Sequence, residues 1–171
     1  MPRYVAFLRG VTPMNAKMPD LKRCFEEAGF ANVRTVLSSG NVVFDARSSS
    51  EASLERKAEA AMQKSLGRTF HAIIRRTDDL QNLLVTDPYA TSPQPPSAKR
   101  VVTFLREPKL SKLALPFESD GAQILSVVGR EAFTSYLPGE QPATFMRLIE
   151  KAFGKEVTSR TWTTVQKCAV A

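Results

Sequence analysis

At 171 residues, 43% apolar and 24% charged, the chain has the length and composition of one globular domain or two small ones, which excludes a disordered or collagen-like polymer. Two cysteines and one histidine are too few for a disulfide scaffold, a zinc ribbon or a multi-histidine metal centre, so no metal or bound cofactor is expected. The charge is less ordinary: 24 basic against 17 acidic residues leave a net +7, with a pI near 9.7.

In chain order, Arg3–Arg9 reads as a strand of β-branched and aromatic types. Its apolar run is too short for the core of a signal peptide, and no stretch approaches the roughly 18 apolar residues of a membrane helix. A cytoplasmic protein with no membrane partner is the expectation. Val11–Met18 is a loop. A helix starts near Pro19-Asp20, where a proline and an acidic residue suit the first turn, and Leu21, Cys24, Phe25 and Ala28 form its inward stripe up to Gly29. Asn32–Leu37 and Asn41–Asp45 flank Ser38-Ser39-Gly40, a hairpin signal. Ser48–Ser50 leads into an amphipathic helix over Glu51–Leu66, closed by Gly67, and Phe70–Arg75 is again a strand. Thr77-Asp78-Asp79 opens a short connecting helix that ends at Asp87-Pro88.

Ala90–Ala98, with Pro93, Pro95 and Pro96, reads as a stiff connector. Beyond it come a strand over Arg100–Leu105, a short helix over Pro108–Leu115, and strands Ala122–Val128 and Glu131–Leu137 around Gly129-Arg130. A helix over Thr144–Phe153, a short strand over Glu156–Ser159 and a last helix over Thr161–Val170 complete the chain. Strand-helix-strand-strand-helix-strand thus occurs twice, which predicts an α+β protein of two ferredoxin-like (βαββαβ) subdomains, residues 1–89 and 99–171, with an extra C-terminal helix. Right-handed crossovers would put both helices of a half on one sheet face and leave the other face open.

No nucleophile elbow, phosphate-binding glycine loop, dinucleotide fingerprint or zinc-protease motif is present. His71 stands alone in a strand, so a Ser-His-Asp site has no support. The basic excess invites an anionic or nucleic-acid partner, but it is spread over both halves. An RNA-binding sheet would need exposed aromatics on its central strands, here Tyr4 or Phe7 and Phe44. Three polar clusters are the candidate ligand-binding residues. Arg9 and Gly10, with Asn15 and Lys17, follow the first strand. Ser39 and Asn41, beside Ser38, sit in the hairpin. Arg160, Trp162 and Thr164, with Thr161 and Thr163 between them, mark the start of the last helix, and Lys167 follows further along it.

At these clusters the chain resembles the domain-of-unknown-function 1697 family, small bacterial proteins. The matching stretches are Tyr4–Val11, Leu21–Phe30, Val33–Thr35, Ser39–Phe44 and Arg160–Val165. The resemblance implies two ferredoxin-like halves and supplies no reaction, cofactor or catalytic residue. Family members usually follow the Arg-Gly pair with an asparagine and a glycine pair, and carry a glycine-rich turn with a Ser-Lys pair before the late helix. Here those segments read Val11–Asn15 and Pro138–Thr144, which would alter any ligand site built from them. The expected function is binding of an anionic ligand or nucleic acid. The alternatives are an enzyme built on Ser38, Ser39, Asn41 and an arginine at the seam between halves, and a protein-interaction module using open sheet faces.

Overall fold

The structure is a computed structural model and describes residues 1–91, 94–139 and 142–171; part of the proline-rich connector, including Pro93, and Glu140-Gln141 lie outside the described residues. Among the described residues the fold is mixed α+β, with two antiparallel sheets and five helices. The chain divides into two compact units, Met1–Leu84 with Gln166–Ala171, and Val85–Val165.

In the first unit, β1 (Arg3–Leu8), α1 (Met18–Glu27), β2 (Ala31–Thr35), β3 (Asn41–Asp45), α2 (Glu51–Leu66) and β4 (Ala72–Arg76) follow one another, and the strands lie in the order β2-β3-β1-β4. Local signals set the helix ends. Gly29, at φ 94°, lets the Gly29 and Phe30 N–H groups close back onto the carbonyls of Glu26 (3.0 Å) and Phe25 (3.2 Å), a Schellman ending. Ser50 Oγ accepts the Ser53 N–H at the start of α2, and left-handed Gly67 ends that helix. Leu21, Cys24 and Phe25 of α1 and Leu54, Ala58 and Met62 of α2 pack on Tyr4, Ala6, Leu8, Val42, Phe44 and Ile74, with Phe30 stacked on Phe44 at 4.3 Å.

The other face of this sheet is not open. Val5, Phe7, Val43 and Ile73 are all buried, as are Tyr4 and Phe44 on the helix-covered face. The expected interaction face and the expected aromatic platform for RNA are therefore both absent from this sheet. The cause is in the strands: β1 and β3 are apolar at consecutive positions rather than at alternate ones, the mark of strands buried on both sides.

The chain continues through α3 (Thr77–Thr86) and a short 3-10 turn over Pro88–Thr91. The second unit then holds β5 (Lys99–Leu105), β6 (Phe117–Ser119), β7 (Ala122–Val128), β8 (Glu131–Tyr136), α4 (Pro142–Phe153) and β9 (Val157–Thr161), with strands ordered β6-β7-β8-β5-β9. Phe145, Leu148, Ile149 and Phe153 of α4 pack on Val101, Leu105, Ile124 and Ala132. The predicted helix over 108–115 is not formed; that segment is irregular and leads into β6, a strand the sequence reading missed. Prolines 108 and 116 bound a stretch of barely two turns, too short to sustain a helix alone. Leu113 and Leu115 reach the core without one, while Leu110 is exposed. The last helix, α5 (Trp162–Ala169), opens in the second unit, and its later residues group with the first, where Gln81 donates to the Ala169 carbonyl (2.9 Å) and Arg3 Nε to that of Ala171 (2.8 Å).

Candidate functional site

Two of the three sequence clusters meet in the first unit. The Leu8 N–H donates to the Gly40 carbonyl (2.8 Å) and the Arg9 N–H to that of His71 (2.9 Å), so the loop after β1 and the β2–β3 hairpin share one end of the sheet. Gly40 has no substitute there. Its φ is 86°, and a Cβ would lie 2.9 Å from Val11 Cβ and 3.1 Å from the Leu8 carbonyl oxygen. Asn41 is fully buried and donates through Nδ2 to the Val36 carbonyl (3.0 Å) and to Ser39 Oγ (3.1 Å). Asn15 staples its own loop, accepting the Thr12 N–H through Oδ1 and donating through Nδ2 to the Gly10 carbonyl, both at 2.8 Å. Asn15, Ser39 and Asn41 thus spend these hydrogen bonds on loop geometry. Gly10 supplies a left-handed turn at φ 85° and Lys17 is exposed at the start of α1.

Arg160, Trp162 and Thr164 lie in the second unit. Arg160 donates to Thr158 Oγ1 (2.7 Å) and to the Ser159 carbonyl (2.8 Å) within its own strand. Buried Thr164 and its backbone N–H are engaged by Thr161 Oγ1, at 3.0 and 3.3 Å, which makes Thr161 the N-cap of α5.

Trp162 differs. It lines a cleft of about 390 Å³ together with Ala98, Lys99, Arg100, Thr161 and Thr163. The β5–β9 register builds this cleft. Val101 pairs with Thr161, the last residue of β9, so Lys99 and Arg100, the first two residues of β5, lie at the end of the pairing where α5 begins. Lys99 and Arg100 are exposed cations, and none of the described lining residues is acidic. The first N–H groups of any helix lack partners within it, and the dipole there is positive. Both effects add to two cations on the same wall.

Behind the cleft lies a fixed aromatic corner. Tyr89 meets Trp162 edge-on at 5.2 Å and Phe133 at 5.9 Å, and the Arg100 guanidinium sits over the Tyr89 ring at 5.4 Å. The Tyr89 hydroxyl is within hydrogen-bonding distance of the Val101 (2.7 Å) and Thr134 (2.9 Å) carbonyls and accepts the Thr134 N–H (3.2 Å). Burial pushes this phenol well above its ordinary pKa, so it stays protonated as a tie between β5 and β8.

A second cleft, about 430 Å³ in the first unit, is lined by Asp20, Arg23, Cys24, Glu27, Ser65 and Leu66. Arg23 pairs with Asp20 and Ser65 Oγ donates to Glu27 (3.0 Å), so the one cation is spent on a carboxylate and the lining carries no net positive charge. Burial raises the pKa of the Cys24 thiol, against an opposing hydrogen bond with Ser65, which disfavours the thiolate. Among the described residues no group of histidines, cysteines and carboxylates is placed to hold a metal, and no helix is long and apolar enough to cross a membrane.

The family model for a protein of unknown function, DUF1697, matches residues 1–133. The chain belongs to the DUF1697 family. No functionally curated protein matches it. A conserved bacterial protein from Streptococcus pneumoniae has a similar structure, with 20% identity over 99% of this chain and 97% of the other and a TM-score of 0.73; at that identity the likeness attests the fold alone.

For this DUF1697 protein the sequence clusters supplied one wall of the cleft, Thr161, Trp162 and Thr163, and missed Lys99 and Arg100. A signal existed in the dibasic pair at the start of β5. What gives it meaning is the pairing of β5 with β9, roughly 60 positions away in the chain, and nothing local announces that register.

Proposed function

We propose that this DUF1697 protein binds a small anionic ligand, held between Lys99, Arg100 and the first turn of α5. The observation that carries the reading is the cleft itself: two exposed cations, two threonines and a helix start, with no acidic residue among its described lining. The buried state of Tyr4, Phe7 and Phe44 favours a small ligand over a strand laid across the first sheet. The test is titration of the full chain with inorganic pyrophosphate at low ionic strength, followed by amide chemical shifts. Shifts centred on Lys99, Arg100, Trp162 and Thr163 are expected, weakened by salt because exposed charges are screened beyond about 8 Å at 0.15 M. They should shrink in a Lys99→Ala/Arg100→Ala variant. Shifts scattered over unrelated lysines, or none, would refute the reading.

For the framework we propose that both units are ferredoxin-like subdomains, the second with irregular chain in place of its first helix, joined through the proline-rich segment 90–98. In support, the strand order β7-β8-β5-β9 repeats the second-third-first-fourth pattern of β2-β3-β1-β4, with β6 added at one edge.

A further inference from the structure

We infer that the anion is a nucleoside phosphate, its phosphate set between Lys99, Arg100 and the start of α5 and its base laid against Trp162; this rests on the anion-binding reading above. Four features of the cleft lead from anion to nucleotide. The first is size. About 390 Å³ falls in the range of about 300–1,000 Å³ typical of small-molecule sites, and a bare phosphate would leave most of it to water. Charge is the second: a phosphate monoester carries about −1.5 to −2 at neutral pH, which the two cations match.

The third is the tryptophan, the only one in the chain. A part-buried indole lining a cationic cleft does nothing for an inorganic anion, whereas it offers a nucleobase a stacking surface. The fourth is rigidity. Trp162 rests edge-on against Tyr89, whose hydroxyl is tied to Val101 and Thr134, so little ordering is needed when a flat ring docks. The remaining lining groups, the hydroxyls of Thr161 and Thr163, both donate and accept, so they do not select a base by hydrogen-bond pattern. Purines should therefore exceed pyrimidines through overlap alone.

The experiment uses the full chain at low salt, with AMP, ribose 5-phosphate and inorganic phosphate as probes. Because Trp162 is the single indole, its fluorescence reports the site directly, and calorimetry supplies the affinities. AMP should quench the fluorescence and bind about tenfold more tightly than ribose 5-phosphate, the low end of what one stacked base contributes. Trp162→Leu should bring the AMP to ribose 5-phosphate ratio toward one. Trp162→Phe, which keeps a ring against Tyr89, should retain most of the ratio and so separate lost stacking from lost folding.

Equal affinity of AMP and ribose 5-phosphate in the unaltered chain would overturn the nucleotide inference and leave the anion reading standing. Absence of binding by every phosphate would overturn both. A single-stranded hexanucleotide binding far more tightly than AMP would overturn the assignment to a free nucleotide and give the site to nucleic acid.

Discussion

Strand β4 lies at the edge of the first sheet, and an edge strand presents unpaired N–H groups that must be satisfied or covered. Helix α2 satisfies two of them with carboxylates. Glu55 Oε2 accepts the Ile74 N–H at 2.9 Å and Glu59 Oε2 accepts that of Ala72 at 3.0 Å. The fit is geometric: four helical residues rise about 6 Å, and two strand residues advance about 6.6 Å, so glutamates four apart match amides two apart. Glu55 is itself buried, which makes the Glu55→Ala substitution informative. It deletes the acceptor and leaves the Ile74 amide in a dry setting. An orphaned buried donor costs about 1–3 kcal/mol, and at this chain size each kcal/mol moves the midpoint by about 2–4 °C, so a fall of about 4–8 °C is expected for the middle of that range. Glu55→Gln keeps an acceptor oxygen and should lose less. Hydrogen exchange is the decisive assay, because protection of the Ile74 amide should collapse in Glu55→Ala while that of Val43 in the sheet interior falls only with global stability. A Glu55→Ala chain with unchanged melting and an unchanged Ile74 amide would refute the capping argument.

Two further outcomes are expected. Tyr89→Phe removes the hydroxyl that ties β5 to β8, and should cost about 1–3 kcal/mol in urea denaturation; no change in midpoint would show that Val101 and Thr134 manage without it. Burial works against the Asp45 carboxylate, but hydrogen bonds from Asn32 (2.7 Å) and Arg3 (2.8 Å), with the Arg3 charge, outweigh it and hold the carboxyl below its ordinary pKa. A group depressed in the folded state contributes stability above its unfolded pKa, about 3.9, and loses it as pH falls through the lower folded value. Denaturation midpoints of the unaltered chain should therefore drop more steeply with acid below about pH 4 than those of Asp45→Asn, and parallel profiles would refute the assignment.

The elements that were legible in the sequence are those with local punctuation. The predicted bounds of α2 and of β3 and β7 are those observed, because a serine cap, left-handed glycines and apolar periodicity act within a few residues. The helix expected over 108–115 failed for the opposite reason. Leu110, Leu113 and Leu115 suggested a stripe, yet only tertiary contact decides whether so short a segment coils, and here two of the three leucines reach the core from irregular chain. The open sheet face failed because a right-handed crossover fixes where helices go and leaves undecided what meets the other side. The apolar runs Tyr4–Leu8 and Val42–Phe44 already carried that answer, since a half-exposed strand would alternate.

The charge follows the same logic. A surplus of seven positive charges spread through the chain says little, because most surface cations are simply solvated or paired, as Lys22 is with Glu26 and Arg3 with Asp45. What distinguishes Lys99 and Arg100 is their company. Antiparallel pairing of β5 with β9 sets them beside a helix start, an indole and two hydroxyls, with no described carboxylate in the lining to neutralise them. Arg160, a cation the sequence also pointed to, is turned along its own strand onto Thr158 and Ser159. Arg160 thus sits inside the β5–β9 pairing, opposite Val102, whereas Lys99 and Arg100 lie beyond its last pair, Val101 with Thr161, as the exposed charges of the cleft.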